Sequence, residues 1–89
     1  MQSLRVSGFF DPAELRVSPG EPVTLTVTNV GTQLHTFTIP TLRHDTGPIE
    51  PGATTTLTFT APVEAGRYEF ICSFGGHEEA GMIGQLIVA

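Results

Sequence analysis

Pro22-Val23-Thr24-Leu25-Thr26-Val27-Thr28 alternates without a break, with Val23, Leu25 and Val27 on one side and three threonines on the other. A period of two is that of an extended strand, whose successive side chains point to opposite faces; one face enters a core and the other meets water. The residue types agree, because β-branched side chains suit a pleated surface and lose freedom in a helix. Thr54 to Thr60 repeats the pattern, with Leu57 and Phe59 inward and Thr56, Thr58 and Thr60 outward. Further out, His35, Phe37 and Ile39 share one face opposite Thr36 and Thr38. Tyr68, Phe70 and Cys72 share the inward face of a run from Arg67. Shorter strands are expected at Leu4–Ser7, Leu15–Val17 and Gly84–Val88. The separators are turn chemistry: Asp11-Pro12, Ser18-Pro19-Gly20, Asn29-Val30-Gly31, Gly47-Pro48, Pro51-Gly52 and Ala65-Gly66. No window of ten or more residues has helical spacing; at most, His77 to Gly81 makes one turn. Short strands with frequent turns predict an all-β antiparallel sandwich or barrel.

A chain of 89 residues has room for a single domain over 1–89. Its net charge is -5, and its four cations are Arg5, Arg16, Arg43 and Arg67, spread along the chain with no lysine among them. A nucleic-acid surface needs clustered cations, so nucleic acid is excluded as a partner. Hydrophobic residues at 39% against 15% charged are too many for a disordered chain. No apolar run is long enough to span a bilayer. Met1-Gln2-Ser3-Leu4-Arg5 carries no apolar signal core, so an export signal is expected to have been removed or never to have existed. The one cysteine, Cys72, forbids an internal disulfide, which leaves stability to the core or to a bound metal.

Cys72, His77 and Met82 stand at C-x4-H-x4-M spacing between a strand ending at Cys72 and one starting near Gly84. A loop joining two strand ends can turn three side chains toward one point, and His35, on an alternating strand, can supply a fourth. Taken singly, each has an ordinary explanation: Cys72 as a buried hydrophobe, Met82 as core filler, His35 as a core or rim histidine, His77 as a solvated loop residue. Their joint type and spacing reverse that reading. One thiolate and two imidazoles with a distant thioether select copper and permit both of its oxidation states, whereas a thioether is a poor zinc ligand. His44, with Asp45 beside it, has no such company and reads as a loop histidine.

Asn29 to Phe37 (N-V-G-T-Q-L-H-T-F) and Tyr68 to Gly84 resemble the copper-binding pattern of cupredoxins, nearest the plastocyanin and azurin type of blue copper protein. Phe10-Asp11-Pro12 and Val17-Ser18-Pro19-Gly20-Glu21 resemble the first strands of plastocyanin-like domains, so the likeness covers nearly the whole chain. It implies a Greek-key β-sandwich with the metal at one end, His35, Cys72 and His77 as equatorial ligands and Met82 as the axial one. Three departures stand out. Gly75 occupies a place where many relatives have proline, two residues before the loop histidine. Ile71 replaces the tyrosine that precedes the cysteine in plastocyanins, which removes a side route for electrons. Thr36 stands where relatives often have an asparagine that ties two ligand loops together.

The expected activity is one-electron transport by a mononuclear type 1 Cu(I)/Cu(II) site, without enzymatic turnover. A second copper centre would need more histidines than His44 or a second cysteine. The resemblance makes His77 the electron exit, with Leu34, Phe74 and either Phe9 or Phe10 as the apolar rim on which redox partners dock. A charge of -5 favours a cationic partner surface. The resemblance also implies a monomer at work in the periplasm or elsewhere outside the cytoplasm. Two other readings stay open: a copper storage or delivery module without redox turnover, and a metal-free structural β-sandwich from a larger chain.

Overall fold

The computed structural model describes residues 2–72 and 82–89. Among these residues nine strands run in the order β1 (Gln2–Val6), β2 (Phe10–Asp11), β3 (Glu14–Val17), β4 (Pro22–Asn29), β5 (Thr38–Ile39), β6 (His44–Asp45), β7 (Thr54–Thr60), β8 (Gly66–Ile71) and β9 (Ile83–Val88), with a 3₁₀ turn at Pro40–Leu42. They form two sheets, ordered β2-β1-β4-β7 and β3-β9-β8-β5-β6, which enclose one core in the expected sandwich. No helix among the described residues is long and apolar enough to cross a membrane.

The alternating segments behave as their period requires. Val23, Leu25 and Val27 of β4 are buried, and β7 lies antiparallel beside them from Pro22↔Thr60 to Thr28↔Thr54. Within this largely antiparallel scheme two pairs are parallel: β1 with β4 and β3 with β9. A parallel pair needs a crossover connection. The chain supplies it by leaving the first sheet after β2, passing through β3 in the second sheet, and returning as β4.

Strands β2 and β6 are too short for periodicity to reveal. The segment His35–Ile39 also differs from its expected form. Only Thr38–Ile39 joins a ladder, while His35 makes a single bridge to Ile49. Thr36, expected to face outward, is 95% removed from solvent at 5% exposure. The chain leaves the regular ladder here, so Thr36 turns inward against Cys72. Phe37 follows at once and meets Phe10 and Phe70 with ring centroids 5.9 and 4.8 Å away; Phe10 and Phe70 are 5.1 Å apart. These three rings come from both sheets and anchor the segment that carries His35.

Candidate metal centre

The β8–β9 hairpin sets two of the candidate residues side by side. Its last pair is Ile71↔Ile83, and one step further the Cys72 N–H donates to the Met82 carbonyl at 3.4 Å. Both side chains are buried, Cys72 at 0% and Met82 at 1% exposure. His35 arrives from the neighbouring segment, with β5 joined to β8 at Thr38↔Ile71. Its ring is buried at 4% exposure, and its Nδ1 lies 3.8 Å from Cys72 Sγ. His35 and Met82 also line one cavity of about 380 Å³ at this end of the sandwich. His77, Phe74, Gly75, Gly76 and the turn expected at His77–Gly81 lie outside the described residues.

Thr36 also faces the sulfur. Its backbone N–H donates to Cys72 Sγ at 3.4 Å, and its hydroxyl lies 3.7 Å from the same atom. Both groups of Thr36 therefore face the sulfur from the same segment that carries His35. On the other side of the imidazole, Gly31 lets the chain approach closely: a Cβ there would lie 3.3 Å from His35 Nε2 and 3.1 Å from the Ser7 Cα. The imidazole therefore sits between Cys72 on its Nδ1 side and the Gly31 backbone on its Nε2 side.

Copper fits these residues on two counts. Soft thiol and thioether sulfur beside an imidazole is a donor set that suits copper. Bonds of about 2.0–2.3 Å, the lengths zinc makes to imidazole and thiolate, would let one ion reach two donor atoms about 3.8 Å apart. That matches the separation between Cys72 Sγ and His35 Nδ1. Among the described residues no three of His, Cys, Asp and Glu converge, so Cys72, His35 and Met82 are what these residues contribute.

The alternation of β4 held a signal that the strand reading passed over. Asn29 takes the inward slot that follows Val23, Leu25 and Val27, and a polar residue in core phase marks a place where hydrogen bonds must be made. Thr36 gave no such signal, because its inward turn depends on a break in the ladder. Of the rim candidates, Phe9 is exposed, Phe10 is core and Leu34 is half-buried. His44, read as a loop residue, lies in β6, its ring 5.1 Å from that of Phe59 and tilted 35° to it.

The sequence profile of the cupredoxin-like domain matches residues 2–88. The copper-resistant cuproprotein CopI of Rubrivivax gelatinosus is 32% identical over 98 residues, which take in 89% of this chain and 59% of that protein. The chain thus spans about three-fifths of that relative's length. Among solved structures, dithionite-reduced auracyanin from Roseiflexus castenholzii superposes with a TM-score of 0.87 at 23% identity, covering 99% of this chain and 95% of that one. Auracyanin A, a blue copper protein from Chloroflexus aurantiacus, does so with a TM-score of 0.84 at 24% identity, covering 100% and 98%. At these identities the two structures speak for the fold.

Proposed function

The chain belongs to the cupredoxin-like family, and from that premise we propose that it carries single electrons through one mononuclear copper held by His35, Cys72, His77 and Met82. The observation that supports this most directly is the buried pair of Cys72 Sγ and His35 Nδ1 at 3.8 Å, with Thr36 directed at the sulfur. Copper bound there supplies one-electron exchange, since sulfur favours Cu(I) and imidazole tolerates Cu(II). The residues do the rest. Thr36 holds the sulfur in place, and the bridge to Ile49 holds the His35 backbone. The β8–β9 pairing keeps Met82 next to Cys72. Donors fixed on a rigid scaffold keep their positions when the charge at the site changes, so little reorganisation accompanies transfer.

The same reading makes the protein a carrier and not an enzyme, built as one domain over 1–89 and active as a monomer outside the cytoplasm. Redox partners would dock near His77, with exposed Phe9 and half-buried Leu34 as the candidate rim residues. With a charge of -5 the encounter favours cationic partners and weakens as salt is added. Titration with Cu(II) tests the site. Intense blue colour is expected in the wild type and its loss in Cys72→Ser. A colourless copper complex, or colour that survives in Cys72→Ser, overturns the assignment.

A second reading, copper storage or delivery without redox turnover, draws support from the relative named as a copper-resistant cuproprotein. Electron exchange separates the two. A copper-loaded protein that neither gives a reversible voltammetric wave nor exchanges electrons with a small redox protein is a copper handler.

A further inference from the structure

We infer that Asn29 is a positioning residue for His35, presetting the imidazole toward Cys72 before any metal arrives. The inference rests on the reading of His35 as a copper ligand. Asn29 is the last residue of β4 and fully buried at 0% exposure. An amide in that position is costly unless its donors and acceptor are paired. All are paired, and every partner belongs to the frame around His35. Asn29 Nδ2 donates to the Gln33 carbonyl at 2.7 Å and to the Ile49 carbonyl at 2.8 Å, and Oδ1 accepts the Gly31 N–H at 2.9 Å.

Those three bonds grip His35 from two directions. Gly31 and Gln33 lie on the chain that leads into it, and Ile49 is its bridge partner. The Ile49 carbonyl also accepts the His35 N–H at 3.3 Å, and the Ile49 N–H donates to the His35 carbonyl at 2.7 Å. The Asn29 backbone extends the grip: its N–H donates to the Ala53 carbonyl at 3.0 Å, and its carbonyl accepts the Gly52 N–H at 2.8 Å. The path of Gly31 matters for the ring itself, because this glycine passes so close to Nε2 that even a methyl group there would touch it. Asn29 thus fixes the back wall of the imidazole and the strand across from it with one side chain. An apolar residue of similar size would fill the space and leave that path undetermined.

The competing explanation is that Asn29 merely plugs the end of the core. Val23, buried at the opposite end of β4 and paired with Phe59, is the control for it. In Asn29→Ala, copper affinity should fall by about 10–100-fold, and the thiolate-to-copper absorption band should shift. Val23→Ala, which costs stability without touching the His35 frame, should keep both unchanged. A readout without metal guards against a variant that does not fold. In the copper-free wild type the Gly31 amide should exchange with solvent far more slowly than an open-loop amide, because it is bonded to the buried Oδ1. Wild-type protein that binds no copper overturns the ligand reading and this inference together. Copper-binding wild type with an unaltered band and affinity in Asn29→Ala overturns the inference alone. So does an equal loss in Val23→Ala, or a Gly31 amide that exchanges freely.

Discussion

At Cys72 Sγ two groups of one residue converge, and Thr36 is the side chain whose removal reports on the sulfur most cleanly. A hydrogen bond to sulfur draws electron density away from a bound metal and so favours the reduced state. Thr36→Val keeps the shape and the backbone N–H but removes the hydroxyl 3.7 Å from Sγ. Its reduction potential should fall by about 40 mV, the equivalent of one net hydrogen bond of about 1 kcal/mol. An unchanged or raised potential in protein-film voltammetry would show that the hydroxyl does not act on the sulfur. Cys72, His35 and Met82 were legible as candidates because residue type and spacing point to donor chemistry, and the structure places them at one end of the sandwich. Thr36 was not, since alternation assigns it to the solvent face and only the break in the ladder turns it inward.

Among the elements, the β8–β9 hairpin governs whether sulfur and thioether meet. Its register places Gly84 opposite Phe70, and the Phe70 ring occupies the space that a side chain at 84 would take. A Cβ there would overlap that ring and lie 2.7 Å from the Ala13 carbonyl oxygen. Gly84→Ala is therefore expected to cost on the order of 1–3 kcal/mol, read as a lower midpoint in denaturant unfolding. It should also disturb the candidate site, because Phe70 packs on Phe37, two residues after His35. A midpoint equal to that of the wild type would mean the ring can move aside at no cost. The long alternating strands β4 and β7 were legible because each keeps one face toward the core, fully buried along β4 and, in β7, half-buried at Thr55 and Leu57 and buried at Phe59. The two-residue strands β2 and β6 have no room for a period, and pairing with neighbours alone makes them strands.

For the whole molecule, a metal held by His35, Cys72, His77 and Met82 would tie together segments that no disulfide can join, since the chain has one cysteine. A site that exists only in the folded chain adds binding energy to stability. Copper at about a hundred times its Kd should add about 2.7 kcal/mol, or on the order of 10–20 °C in Tm for a domain this small. Identical melting with and without copper in calorimetry would refute a preorganised site. The sequence by itself determined the fold class and the identity of the candidate ligands, because side-chain periodicity and donor chemistry are local properties of the chain. The tertiary structure alone decided the parallel pairings of β1 with β4 and β3 with β9, the inward turn of Thr36 and the grip of Asn29 on the His35 frame. Those depend on which distant backbone groups meet, and a hydrogen bond between residues twenty or thirty-six positions apart leaves no periodic trace in either segment.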